Sequence, residues 1–251
     1  MPWFTLAVWA WMAVGVITLL VLVLTKIRAP YGRHANEKWG KMIPNKWGWV
    51  LMELPALLLT PLLAAFGPSE KDAFAWLLIG LWTLHYTNRT LIFPFRLRTN
   101  GKKMPLTIVY SAWGFNLMNG LVNGYYLGFL YTPDPGASWT QPLILLGIFL
   151  FFAGFGINML ADTQLINLRK KHEGYQIPRG WLFNIISCPN HFGEIIEWIG
   201  FALIAGSLPA WSFAVWTFCN LLPRTLNHHA WYRENFVDYP KNRKAVIPFV
   251  L

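Results

Sequence analysis

The sequence has 251 residues, 55% hydrophobic and 13% charged, with fifteen Trp, two Cys and a formal net charge of +10. A soluble domain carries a larger charged share, and apolar runs of roughly 20 residues, the length of a membrane-crossing helix, recur along the whole chain. This excludes a soluble enzyme, and the lone thiols Cys188 and Cys219, without a CxxC pair or a nearby His, exclude a disulfide framework and a zinc site.

The composition predicts an all-α polytopic integral membrane protein, one domain over 1–251 with seven transmembrane helices. The first, 3–25, has no basic residue ahead of it and no small-residue cleavage site, so it reads as a retained span and not a signal peptide. A loop with Lys26, Arg28, Arg33, Lys38, Lys41 and Lys46 leads to the second, 47–66. The link GPSEKD, with one Lys, leads to the third, 73–95. Arg96, Arg98, Lys102 and Lys103 precede the fourth, 106–131, and a loop without basic residues precedes the fifth, 141–166. Arg169, Lys170, Lys171 and Arg179 follow, then WLFNIIS at 181–187, which is too short to span and is expected at the interface or re-entrant. The sixth and seventh, 192–208 and 209–230, are joined through Gly206-Ser207-Leu208-Pro209-Ala210 and are expected to form a tight hairpin. The tail carries Arg233, Lys241, Arg243 and Lys244.

Basic loops thus alternate with loops that have one basic residue or none. The positive-inside rule then places the N-terminus outside and the C-terminus in the cytoplasm, with only Lys71 on the outer side. The positive charge collects on one face. Orientation and attraction to anionic lipid account for such a face, and an anionic cytoplasmic ligand is a second use. No internal repeat is evident, which gives no support to an inverted-repeat transporter.

Few ionisable groups fall within the spans. They are Glu53, then His85, Tyr86 and Arg89, then Asp162 one turn beyond Asn158, then Glu194 and Glu197, then Arg224 and His228 with Tyr232 at i, i+4 and i+8. Asn116, Asn119 and Asn123 punctuate the fourth span. Taken singly, each has an ordinary role: an Asn as interhelical glue, Arg224 as a snorkelling side chain, a Glu at a helix start, an interfacial Tyr. Together they place costly groups toward one end of one bundle, and an intramembrane ionisable cluster marks a functional site.

Two chemistries separate. Glu53 and Tyr86 resemble no metal-ligand set. A carboxyl in apolar surroundings favours its neutral, hydrogen-bond-donating form, and with a Tyr hydroxyl it suits a carbonyl oxygen that gains negative charge. Arg169, Asn190, Arg224, His228 and Tyr232, with Asp162 and Glu194, combine phosphate-binding cations with acceptors for ribose or amide groups, a composition that fits a nucleotide. GFGINM at 154–159 lacks the third glycine of the dinucleotide fingerprint and sits in a span, so a Rossmann fold is rejected.

These residues sit in a pattern that resembles the steroid 5α-reductase (3-oxo-5α-steroid 4-dehydrogenase) family. The resemblance runs through Asn158 and Asp162, Leu168-Arg169-Lys170, YQIPRGWLF at 175–183, SCPN at 187–190 and GEIIEW at 193–198. It continues through Arg224, His228, His229, Tyr232 and Phe236 to YPKNRKAVIPF at 239–249. Earlier in the chain it is sparser: Glu53-Leu54-Pro55, then His85, Tyr86, Arg89 and Thr90. Met52 stands where relatives often have Gln, Phe93 where some have Tyr, and His191 where an aromatic residue is usual.

The resemblance implies a seven-helix membrane enzyme that takes NADPH from the cytoplasmic side and transfers hydride to the β-carbon of a 3-oxo-Δ4-steroid. Glu53 and Tyr86 would hold the 3-keto oxygen, with Arg89 and Phe93 beside the substrate. Asn158, Asp162, Arg169, Tyr175, Asn190, Glu194, Arg224, His228 and Tyr232 would line the cofactor site. The expected partners are a lipophilic steroid-like substrate and membrane lipid, with no nucleic acid, no metal and no obligate protein partner. The expected location is the bacterial inner membrane or the endoplasmic reticulum. The alternatives are NADPH-dependent reduction of another enone or a polyprenol lipid, an S-adenosylmethionine-dependent membrane methyltransferase on a related scaffold, and a seven-helix receptor or transporter.

Overall fold

The computed structural model describes residues 1–25, 27, 35, 37–99, 101–136, 138–172 and 174–251. Lys26, Arg28 and Arg33 of the first basic loop lie outside the described residues. The chain divides into two compact units, one of Met1–Arg28 with Pro142–Leu251 and one of Ala29–Gln141.

The Ala29–Gln141 unit is built on two short strands that the all-α expectation did not contain, β1 (Met42–Pro44) and β2 (Lys103–Pro105), paired antiparallel with Met42 opposite Pro105. Each ends in a proline just before a helix, α2 (Asn45–Phe66) and α5 (Leu106–Tyr125). A residue with fixed φ and no amide proton fits such a helix entry. Asp72 caps α3 (Ala73–Thr87) by accepting from the Ala75 amide at 2.8 Å, and accepts from the Tyr131 hydroxyl at 2.8 Å. Lys71, the cation of the GPSEKD link, donates to the carbonyls of Gly67 and Ser69, the first of them just past the end of α2.

The third predicted span is continuous but not regular. A π-helical turn, Asn88–Ile92, separates α3 from α4 (Phe93–Arg96). Pro94 has no amide to donate and its ring crowds the preceding turn, so the Phe93 amide reaches back to Asn88 instead. A second π-helical turn, Tyr126–Leu130, extends α5. Gly120, Gly124 and Gly128 of this rod lie against α2, where added Cβ atoms would meet Leu59, Thr60 and Leu63.

In the other unit, α1 (Pro2–Thr25) packs on α8 (Leu208–Asn235). The Trp216 indole donates to the Trp11 carbonyl at 2.8 Å, and Gly15 admits the Trp216 ring. The tightest packing is between α6 (Pro142–Lys171) and α7 (Pro189–Ala205). Gly147 and Gly154, seven residues apart on α6, face Gly200 and Gly193, seven apart on α7. A Cβ on Gly147 would lie 2.8 Å from Gly200 O, and one on Gly154 would overlap Gly193 O and Glu197 N. Only glycine permits that approach. Gly154, read above as part of a false fingerprint, is thus a packing glycine.

At the α7–α8 corner, Gly206 adopts φ +56° and its amide caps Ala202 O at 2.9 Å. Leu208, Pro209 and Ala210, expected in the link, belong instead to the first turn of α8, where Pro209 has no amide bond to lose. Segment 181–187 contains a short 3-10 turn, Trp181–Asn184, and then meets the C-terminal tail: Lys244 N donates to Ile185 O at 2.8 Å and Ser187 N to Lys244 O at 2.8 Å. Val246 completes an apolar cluster with Ile195 and Leu221.

Among the described residues, α1, α2 and α6 are long and apolar enough to cross a membrane. α1 buries only Phe4, Val8 and Gly15, and turns Leu6, Trp9, Ile17 and Leu20 outward. Such a surface requires an apolar solvent.

Gly154→Ala is expected to destabilise the protein by about 1–3 kcal/mol, the usual cost of overpacking. Gly156→Ala, where a Cβ meets nothing within 4 Å, is expected to leave the unfolding midpoint in detergent unchanged or slightly raised. Thermal unfolding followed by Trp fluorescence measures both.

Candidate active site

In the Ala29–Gln141 unit, the Trp82 indole on α3 donates to Ala56 O on α2 at 2.9 Å. Glu53 lies three residues before Ala56, and Tyr86 four residues after Trp82. The two helices run in opposite directions, so both steps go the same way, and Glu53 and Tyr86 stand at one level, a turn from that bond. Tyr86 is buried against Trp82, with ring centroids 5.1 Å apart. Glu53 is half-buried, and Asn116 of α5 holds it. The Asn116 amide donates to Glu53 Oε2 at 3.2 Å and to Met52 O at 2.6 Å.

Arg89 and Phe93 lie on the π-helical turn and just past it. The Arg89 guanidinium sits 5.0 Å from the Trp49 ring centroid and 4.8 Å from that of Phe93, and the two rings meet edge to face. Trp49 is the member sequence reasoning missed. Trp49 stands four residues before Glu53, and that spacing was the available signal. The Asn row of the fourth span was read as glue. Asn116 does bond across to α2, at Met52 O and the Glu53 carboxyl, whereas Asn119 and Asn123 donate within their own helix, to Phe115 O and Asn119 O.

The predicted cofactor residues all fall in the other unit. At the α6–α7 seam they form a ladder: Asn158 Nδ2 donates to Asn190 O at 3.0 Å and to Glu194 Oε2 at 3.4 Å, and Asn190 Nδ2 donates to Asp162 Oδ1 at 3.1 Å. Asn158 and Asp162 are buried; Asn190 and Glu194 are half-buried. Arg169 is exposed at the end of α6, its guanidinium 5.7 Å from the Tyr175 ring, which meets Trp231 edge to face. On α8, Arg224 and His228 are half-buried and Tyr232 is buried, stacked on Tyr239 at 5.4 Å. Glu197 is 0% exposed, its backbone against Gly154, so it braces the seam.

His191 bonds Thr225 Oγ1 through Nδ1 at 2.6 Å, with its ring 6.0 Å from that of His228. Thr225 gives its one hydroxyl proton to Leu221 O at 2.9 Å, so His191 Nδ1 is the donor. The same reasoning resolves a network the sequence did not expose. Ser187 Oγ donates to Lys244 O at 3.0 Å, so the His229 Nδ1–H and the Tyr239 hydroxyl, each at 2.6 Å, both donate to Ser187. Burial raises the Tyr239 pKa, which keeps that hydroxyl protonated. This network ties the tail to α7 and α8. It has the residue types of a nucleophile and base, but Ser187 gives its proton to a carbonyl and not to the imidazole.

Among the described residues no group of His, Cys, Asp and Glu is arranged to hold a metal ion. Buried amides and carboxyls in one row, with Arg169, Arg224 and His228 in the same unit, form a donor set for a polar, phosphorylated ligand with hydroxyl and amide groups.

Residues 102–251 match the family described as 3-oxo-5-alpha-steroid 4-dehydrogenase. The chain is 43% identical to 3-oxo-5-alpha-steroid 4-dehydrogenase 1 of Bos taurus over 249 residues, 95% of this chain and 93% of that one. It is 39% identical to steroid 5-alpha-reductase DET2 of Gossypium hirsutum, over 89% of each chain. It is 41% identical to 3-oxo-5-alpha-steroid 4-dehydrogenase 1 of Homo sapiens, over 88% of this chain and 85% of that one. The chain belongs to the 3-oxo-5-alpha-steroid 4-dehydrogenase family and is an oxidoreductase.

Ser187→Ala removes the acceptor of two buried donors and is expected to cost about 1–3 kcal/mol. It should also speed tryptic cleavage at Lys241 and Lys244. Arg179→Ala, which breaks only the exposed ion pair with Asp238, should leave both stability and cleavage rate unchanged.

Proposed function

We propose that the chain reduces the Δ4 double bond of a 3-oxo-Δ4-steroid with hydride from NADPH, giving the 5α-dihydrosteroid. The observation that carries the reading is Glu53, the one acid of α2, held by Asn116 at the level of buried Tyr86. The relatives' names supply the substrate class and the reaction.

Addition at the β-carbon of an enone moves negative charge onto the ketone oxygen. Tyr86 and neutral Glu53 donate hydrogen bonds to that oxygen and stabilise the enolate. A proton then reaches the α-carbon from Tyr86 or water. Arg89, fixed over Trp49 and Phe93, shapes the wall beside the steroid.

Bound NADPH would supply the hydride. Asn158, Asp162, Asn190 and Glu194 offer donors and acceptors for its ribose and amide groups, Arg169 and Arg224 pair with its phosphates, and Tyr175, His228 and Tyr232 border it. The fit rests on the donor set: amides alternating with carboxyls at the α6–α7 seam, with Arg169 exposed at the end of α6 and Arg224 half-buried in the same unit.

The seven helical rods act as seven spans of one enzyme, N-terminus outside, with the cofactor residues toward the cytoplasm. The loop charges support this orientation, since Lys71, the one outer cation, is taken up by carbonyls at the end of α2. The membrane is a bacterial inner membrane or the endoplasmic reticulum.

Purified protein in detergent, given NADPH with progesterone or testosterone, is expected to yield a 5α-dihydro product two hydrogens heavier by mass spectrometry. Tyr86→Phe removes one oxyanion donor and should lower kcat by about 10²–10³-fold. Glu53→Gln should also lower kcat, and NADPH binding should stay intact in both. Wild-type turnover in both variants would remove these roles. Arg224→Ala should raise the KM for NADPH with a smaller effect on steroid KM, and equal effects on the two would remove Arg224 from the cofactor site.

A further inference from the structure

A cavity of about 540 Å³ lies where α8 meets the C-terminal tail. Leu226, His229 and Arg233 line it from α8, and Lys241, Arg243 and Lys244 from the tail. α8 turns about 100° per residue, so Leu226, His229 and Arg233 occupy a different face from Arg224, His228 and Tyr232. The cavity is therefore separate from the row assigned to the cofactor, and its chemistry stands independently of that assignment.

Four of these lining residues are cations. Arg243 is the least expected. It is only 3% exposed, stacked 4.8 Å from the Tyr239 ring centroid, and its Nε and Nη1 have no hydrogen-bond partner among the described residues. Buried guanidinium nitrogens normally meet an acceptor, because leaving a buried donor unmade is costly. These two atoms are enclosed, so Arg243 adds positive charge to the wall without opening them to the cavity. Tyr239, whose hydroxyl is anchored on Ser187, presents a fixed ring to this guanidinium.

We propose that this cavity is a second, non-catalytic anion site that takes a phosphate ester. Arg233, Lys241 and Lys244 pair with the phosphate oxygens, and Arg243 adds its charge at the wall. Leu226 and the Val250 side chain at the wall accept the organic part. A volume well above that of a bare phosphate is consistent with an ester. Phosphate esters reach such a site either as the headgroup of an anionic phospholipid or as a soluble metabolite, and the experiment separates them.

Delipidated protein in detergent is titrated with phosphatidylglycerol and, in parallel, phosphatidylcholine by native mass spectrometry, and with glycerol 3-phosphate by thermal shift. The wild type is compared with Lys241→Gln/Lys244→Gln and with Lys170→Gln/Lys171→Gln, which removes the same charge from the end of α6. Phosphatidylglycerol binding that exceeds phosphatidylcholine binding, and weakens about tenfold in the 241/244 variant but not in the 170/171 variant, establishes the site with a lipid as its ligand. The same pattern for glycerol 3-phosphate alone establishes it with a soluble ester. Arg243→Gln should deepen the loss, and the lysine pair decides the question if that variant does not fold. Equal weakening in the two lysine variants, or no preference for either phosphate probe, would overturn the proposal.

Discussion

The close approach of α6 and α7 is the constraint on which the polar half of the protein depends. Gly147 and Gly154 meet Gly200 and Gly193 backbone to backbone, so the two helices pack nearer than any side chain allows. Asn158 stands one turn past Gly154, and Asn190 and Glu194 flank Gly193. A short amide can bridge helices only when their axes are this close. The Asn158 bonds to Asn190 O and Glu194, and the Asn190 bond to Asp162, follow from the glycines as much as from the polar residues. Glu197 sits on the same seam with its side chain fully enclosed. In an apolar solvent no hydrophobic effect drives helices together, so tight van der Waals contact and interhelical polar bonds have to.

The Ala29–Gln141 unit repeats the device with other residues. Gly120, Gly124 and Gly128 bring their rod against α2, and Thr60 Oγ1 donates to Gly120 O at 3.3 Å. Asn116, one turn before Gly120, then reaches Met52 O and the Glu53 carboxyl. In both units a glycine run fixes the distance and an Asn at its end orients an acid.

The sequence made the rods legible because span length, apolarity and loop charge are local properties. The seven predicted segments correspond to the helical rods within a few residues, and the three most apolar, α1, α2 and α6, pass a length-and-composition test for crossing a membrane. Departures occur where the cause is not local. Strands β1 and β2 pair segments about sixty positions apart, and no periodicity within three residues announces them. The π-helical turn at Asn88–Ile92 does have a local cause in Pro94, which the span reading passed over. The grouping of Asn158, Asp162, Asn190 and Glu194 was legible as composition and through the family resemblance. Their bonding order was not, because it depends on the glycine register across two helices. Asn116 was legible as interhelical glue but not as the partner of Glu53, which is sixty-three residues away.

The choice of amides as partners for these acids has a chemical consequence. An Asn amide donates a hydrogen bond to a carboxyl in either protonation state, so it orients the group in both. Asn116 does this for Glu53, and Asn190 for Asp162. For the proposed reaction this matters at Glu53 above all. In that reaction a neutral carboxyl donates a hydrogen bond as charge forms on the ketone oxygen, and the Asn116 bond holds the group in place.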